Sequence, residues 1–449
     1  MLSDDIKNLL LTSDYFLALA YLLVFGVIIH FLFKKSDPAL RRIAYVALLA
    51  KGIAVIVNCI LIISYWKTGD SLSFFSEGET FSRLIGRDIT NIRYLVMPLE
   101  YYQGQIGFDS VLNSTVSGAS SENNFMVSRF TTVFYLLGAG RFLIVNLFFA
   151  FIALIGQVKI IELFSKYYPG ISKVLLAVGV IFTPSLLFYA SPLYKETLCI
   201  SMLGLIFYSL DKIITAHKGK IMYAILLAFC SMVVVITKNY LFYSLILAAV
   251  LTLLLILIIR FCRKSIVNKI IFLSAFIFLV ILIANNTERF DGLIYPVVEN
   301  LNHFQDLYVD PDNESSTFKL GEIDLSFAGL LQRIPVAIYT ALFRPHLWEI
   351  TKPILIINSV ESVIMFLLFA YLLIFHLFSL GKMLSKGLSL YLFVYSLLIF
   401  AIVGLTTFNF GTLVRYKNPG LIFFNIFIIL CFYHHNKKRQ HLQAAIKNT

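Results

Sequence analysis

The stretch RIAYVALLAKGIAVIVNCILIISYWKTGDSLSFFSEGE, residues 42–79, joins two unlike pieces of chain. From Ile43 to Tyr65 almost every residue is apolar, and about 20 such residues suffice to cross the hydrocarbon core of a bilayer as a helix. Directly afterwards come Asp70, Glu77 and Glu79, beside the aromatic pair Phe74 and Phe75. Polar residues can simply mark the end of a span. Carboxylates at a membrane surface can also do chemistry there.

Outward from this stretch the chain stays apolar. Its 449 residues are 59% hydrophobic and 15% aromatic, with a mean hydropathy of +0.85. Soluble proteins hold about 45–50% apolar residues, so the sequence predicts an all-α polytopic membrane protein. A scan for apolar runs of spanning length gives about eleven transmembrane helices. They lie near 14–33, 42–65, 130–156, 171–190, 193–211, 221–237, 240–260, 267–284, 354–379, 387–406 and 419–433. Only Asp4, Asp5, Lys7 and Asp14 stand before or at the start of the first, and no small-residue cleavage site follows. It reads as a retained span rather than a signal peptide.

Basic clusters set the orientation, because Lys and Arg gather on the cytoplasmic side. They fall at Lys34, Lys35, Arg41 and Arg42, then at Lys159 to Lys173, Lys212 to Lys220, Arg260 to Lys269, Lys382 to Lys386 and Lys437 to Arg439. Every second loop is therefore basic, and that side holds three acids only: Asp37, Glu162 and Asp211. This places the N-terminus outside and the C-terminus in the cytoplasm, as in a bacterial inner membrane protein. The net charge of +12 reports orientation, and nucleic acid is not expected as a partner. The five cysteines (Cys59, Cys199, Cys230, Cys262, Cys431) fall in spans or on the basic side, so neither a disulfide nor a zinc site is expected. Asn113, Asn285 and Asn313 carry Asn-x-Ser/Thr sites in outer loops.

No internal repeat is visible, and residues 1–449 read as one membrane domain with two long outer loops, 66–129 and 285–353. Loops of this length in a compact fold are usually functional or disordered. In the first, Phe81, Leu84, Ile85, Ile89, Ile92, Val96 and Leu99 recur at helical spacing, which predicts a helix lying on the membrane surface. STVSGASSENN, residues 114–124, has the composition of a linker. In the second loop the apolar run Phe327 to Phe343, broken by Gln332, Arg333 and Pro335, is too interrupted for a full span. It reads as an interfacial or re-entrant helix.

Two ionisable residues fall within predicted spans: Arg141 midway along the third and Glu361 near the start of the ninth. Either costs roughly 2.5–3.5 kcal/mol if left facing lipid, so each should face a polar cavity or the other. A buried structural pair is the alternative reading. Lys51, near the inner end of the second span, is expected to snorkel. The outer turns each carry a cation where positive charge is disfavoured: Lys195, Lys238, Arg344, Arg415 and Lys417. Lys and Arg beside carboxylates suit a phosphate-bearing lipid head group, and membrane lipids are the ordinary alternative ligand. A sugar transferase using a lipid-phosphate donor needs a carboxylate base and positive charge for the departing phosphate. Asp70 fits the base, with Glu77 and Glu79 as second carboxylates or ligands for Mg²⁺ or Mn²⁺. Asp70 as an ordinary Gly-Asp-Ser turn residue is the competing reading. His303 and His346 lack metal-ligand spacing, and Trp348 reads as an interface anchor.

An acidic motif just after a span (TGDSLSFFSEGE), a following amphipathic helix, and outer basic residues near the C-terminal spans (GTLVRYK) together resemble the GT-C superfamily of membrane glycosyltransferases. The resemblance implies a polyprenyl-phosphate-linked sugar as donor and a glycan or glycolipid acceptor. It also implies Asp70 as base, Glu77 or Glu79 assisting, and Arg344, Arg415 and Lys417 on the phosphate. One span more precedes the acidic loop than in that pattern. Two other classes stay open: an O-antigen or oligosaccharide repeat-unit polymerase or ligase, which the second loop suits, and a lipid-linked oligosaccharide flippase or transporter.

Overall fold

A computed structural model describes residues 9–99, 121–284, 286–308 and 316–447. The three Asn-x-Ser/Thr asparagines and most of the 114–124 linker lie outside the described residues. The described residues are 84% helical and include no strands. It divides into two compact units, residues 1–242 and 243–449.

The first unit opens with α1 (Thr12–Leu32) and α2 (Pro38–Leu61), the latter continued by a π-turn at Ile62–Trp66. Asp37 caps α2 by accepting the Ala39 N–H at 2.7 Å, with Pro38 at the first helical position. The chain leaves α2 through Lys67 at φ 55° and Gly69 at φ 129°. That second conformation favours glycine, and it delivers Asp70 as the first residue of α3 (Asp70–Arg87). The predicted surface helix thus begins well before Phe81 and stops at Arg87, where Asp88 caps a 3-10 turn over Ile89–Leu95.

The apolar stripe of α3 faces protein. Phe81, Tyr94, Leu99 and Phe125 form one buried cluster, closed by α4 (Glu122–Leu137). A Cβ on Gly78 would come 2.6 Å from the Thr131 methyl, so the two helices touch backbone to side chain there. Arg129 of α4 ties down the turn after α3: it bonds Met97 O at 2.5 Å, Tyr94 O at 3.3 Å and the Glu122 carboxylate at 2.7 Å.

The predicted span 130–156 is interrupted. Helix α4 ends at Leu137, Ala139 and Gly140 turn with positive φ, and α5 (Phe142–Tyr167) starts afresh. Arg141 is therefore the residue before α5 rather than a mid-span charge. Its side chain is 41% exposed and pairs with buried Asp14 at 3.5 Å. A run of short pieces follows: α6 (Lys173–Ala177), a π-turn (Val178–Phe182) and α7 (Pro184–Tyr189). Broken backbone at membrane depth is tolerated only where protein satisfies it. Here Gln157 donates to Val180 O at 2.6 Å, Asn146 accepts from the Leu193 N–H at 2.8 Å, and Lys51 donates to Ala190 O at 2.6 Å. Lys51 does not snorkel; it is buried. Helix α8 (Lys195–Thr215) packs on α5 so closely that a Cβ on Gly204 would lie 2.2 Å from Gly156 O. Small residues of this kind let membrane helices approach. Helix α9 (Lys220–Lys264) is helical on both sides of Lys238, whose φ −149° and ψ 81° break it.

In the second unit come α10 (Ile266–Ala284) and α11 (Thr287–Tyr308), then an extended segment over 316–326 and α12 (Phe327–Phe343). Side chains hold the extended segment in place. Asn302 accepts from Ile323 N–H at 3.1 Å and donates to Ile323 O at 2.8 Å, and Gln305 accepts from Leu320 N–H at 2.8 Å. On its other side Phe318 N–H donates to Phe408 O and Phe410 N–H to Ser316 O. Helices α13 (Leu355–Phe375), α14 (Leu377–Leu384), α15 (Gly387–Thr406), α16 (Phe410–Tyr416) and α17 (Asn418–Lys447) complete the unit. Helix α12 lies against α15, where a Cβ on Gly404 would meet Ala337 O at 2.1 Å.

Among the described residues eight helices are long and apolar enough to cross a membrane. They include α1, α2, α5, α8, α9, α13, α15 and the Asn418–His435 part of α17. The predicted 171–190 span falls in the short pieces, and the predicted 221–237 and 240–260 spans are the two arms of α9.

Candidate functional site

Helix geometry separates the three carboxylates of the opening motif. Asp70 and Glu77 are seven residues apart, on one face of α3 but about 10 Å apart along its axis; Glu79 points roughly to the opposite side. Asp70 is exposed in the first turn. Glu77 is buried and accepts a hydrogen bond from Ser128 Oγ of α4. Glu79 forms an ion pair with Arg83 at 2.6 Å and accepts from Tyr135 OH at 3.3 Å. Asp70, Glu77 and Glu79 thus do not make a donor set for Mg²⁺ or Mn²⁺. Among the described residues no three His, Cys, Asp or Glu side chains group as metal ligands.

Asp70 instead has a lysine from a distant part of the first unit in its neighbourhood. Its carboxylate lies within electrostatic reach of the Lys195 ammonium, which also donates to Asn123 Oδ1 at 3.4 Å. Lys195 is the first residue of α8, and Glu196, the next, is fully buried. Lys238 reaches Glu196 Oε1 at 2.6 Å from the break in α9. Two layers result: a half-buried Lys195 beside exposed Asp70, and beneath them a buried Lys238–Glu196 pair. A buried pair of this kind is strongly destabilising to split, by about 3–5 kcal/mol, because one charge is left uncompensated. Lys195, Lys238 and Glu196 are thus electrostatic neighbours, with Asp70 in reach of Lys195.

The second unit holds the other predicted cations, Arg344, Arg415 and Lys417. Arg344 donates to Glu349 from Nε at 2.9 Å and from Nη2, and its guanidinium lies 4.5 Å from the Phe318 ring centre and 5.2 Å from that of Phe410. The two rings stack at 4.7 Å. Burial pushes the Glu349 carboxyl up, but the Arg344 hydrogen bond, the His346 N–H and the nearby positive charge outweigh it and hold it below 4.5. His346 stacks on Trp348 at 4.6 Å and faces Tyr339 OH at 3.3 Å. Buried Lys417 lies within electrostatic reach of Glu361. Arg415 sits 5.6 Å from the Tyr416 ring centre.

Asn146 and Arg129 hold backbone without any signal in residue type, and Lys51 holds backbone rather than snorkelling. For Lys51 the signal was present: a cation in the middle of an apolar run is too costly to be idle. Comparison with protein-family models, with curated proteins and with solved structures returns no match to this chain.

Proposed function

We propose that this chain is a membrane glycosyltransferase that moves a sugar from a polyprenyl-phosphate donor to a lipid-linked or surface glycan at the outer face of the membrane. The observation that carries the reading is Asp70, exposed at the start of α3, within electrostatic reach of Lys195. In this reaction Asp70 takes the proton of the acceptor hydroxyl as that oxygen bonds to the anomeric carbon. The bond from that carbon to the phosphate oxygen breaks, and the electron pair leaves on the phosphate, whose charge Lys195 offsets. Attack from the face opposite the phosphate inverts the anomeric centre.

The same reading takes the chain as crossing about eleven times, counting the two arms of α9, α10 and the broken 173–189 segment. It places the N-terminus outside, the C-terminus in the cytoplasm, and the protein in a bacterial inner membrane. Support comes from the basic side, where each of its three acids has a lysine partner: Asp37–Lys173 at 2.6 Å, and Glu162–Lys159 and Asp211–Lys166 at 2.7 Å.

The test is a mass profile of polyprenyl-linked and surface glycans from cells lacking the protein, expressing it, or expressing Asp70→Asn at equal level. A glycan short by one sugar in both the deletion and the variant is the expected result. Accumulation of intact single repeat units would instead identify a polymerase or ligase. Unchanged glycans in the deletion would end the reading.

A further inference from the structure

We propose that Lys51, in the middle of α2, is a positioning residue that fixes the turn carrying Lys195 and Glu196. The functional consequence rests on the transferase reading; the positioning itself does not.

The turn from Ala190 to Tyr194 joins the end of α7 to the start of α8, and its one internal backbone bond, Tyr194 N–H to Pro192 O at 2.9 Å, leaves other groups to be satisfied from outside. It contains Pro192, which has no N–H to give, and the last carbonyls of a helix have no partner within it. Three neighbouring helices supply the missing partners. Lys51 donates to Ala190 O at 2.6 Å and to Ser191 Oγ at 3.2 Å. Ser191 Oγ passes the chain of bonds back to Leu187 O at 2.5 Å. Asn146 of α5 accepts from the Leu193 N–H at 2.8 Å, and Thr197 of α8 donates to Tyr189 O at 3.3 Å. The bonded groups of the turn itself, from Ala190 to Leu193, lie two to five residues before Lys195.

The side chain at 51 is 1% exposed, so it is neither a surface charge nor a residue reaching for the lipid head groups. A hydroxyl or amide there could not span from α2 to the turn and bond two acceptors at once. The long stem and several donors of lysine do both. A cation also suits the negative end of the α7 backbone dipoles. Because Lys195 is the first residue of α8 and Glu196 the second, a shift of this turn moves the upper cation and the buried Lys238–Glu196 pair together.

The test reads position directly. In detergent-solubilised protein, with half-buried Cys262 replaced by serine, Lys195→Cys is labelled by a quaternary-ammonium methanethiosulfonate, with Lys51 present and with Lys51→Met. Labelling at 195 should change at least threefold in Lys51→Met, while a Ser36→Cys control changes less than twofold. Lys51→Arg, which keeps a long multi-donor cation, should restore the original rate. Unchanged labelling in folded Lys51→Met overturns the proposal. Should Lys51→Met fail to reach the membrane, Ser191→Ala removes a single acceptor and is read the same way, with the same unchanged result overturning it. The glycan profile of Asp70→Asn is independent of all this: it can defeat the transferase reading while the labelling result stands.

Discussion

At the scale of single residues, the two layers of the first unit make different demands on substitution. Asp70→Asn removes a base at an exposed position, so transfer should fall by about 10²-fold or more, with normal protein level. Glu79→Gln breaks an i,i+4 pair whose Arg83 partner is largely exposed, worth about 0.3–0.5 kcal/mol, and leaves an amide oxygen that can still accept from Tyr135 OH. Glycan profiles from that variant should match wild type. Glu349 offers a pH readout in the second unit. A carboxylate held below its unfolded value stabilises the fold above that value, and the gain disappears as pH falls through the folded value. Wild type should therefore have a higher Tm than Glu349→Gln at neutral pH, and the gap should close as pH drops below about 4.5. A gap independent of pH would show that the carboxylate charge of Glu349 does not matter. The exposed indole of Trp348, beside this pair, gives a fluorescence signal for the same titration.

Among elements, the close helix contacts are the sharpest targets. Gly204→Ala places a Cβ where Gly156 O already lies, and Gly404→Ala does the same against Ala337 O. Overpacking of this kind costs about 1–3 kcal/mol. Both variants should melt lower in detergent, whereas Gly26→Ala, with open space around it, should melt like wild type. Much of this level could be read from the chain. Long apolar runs such as 42–65 and 387–406 became helices because lipid punishes any other backbone. The break before Arg141 was hidden because a window of spanning length averages over Gly138 to Arg141. The stripe on α3 was visible, but an amphipathic face does not say what covers it; Phe125 of α4 does, rather than lipid. The meeting of Asp70 with Lys195 brings together residues far apart in sequence, and residue type alone could only gather them on one side of the membrane.

For the whole molecule, the orientation can be tested without any substrate. Thiol-labelling of single cysteines from outside intact cells should reach Asp70→Cys and miss Lys34→Cys and Lys218→Cys. The opposite pattern would place Asp70 in the cytoplasm and remove it from outer-face chemistry. The broken segment 173–189 has one more consequence, and it concerns how the protein is made. Thr197, which bonds Tyr189 O, comes after the stretch 173–193, but its other side-chain partners, Lys51, Asn146 and Gln157, lie earlier in the chain. They have left the ribosome before Val180, Ala190 and Leu193 arrive. The segment can therefore enter a binding place that is already inserted, and Lys51 must wait in the growing bundle, unsatisfied, until Ala190 is synthesised. Truncated nascent chains ending before α7 should for that reason be held by the insertion machinery longer than chains that include it, and Lys51→Met should shorten the hold.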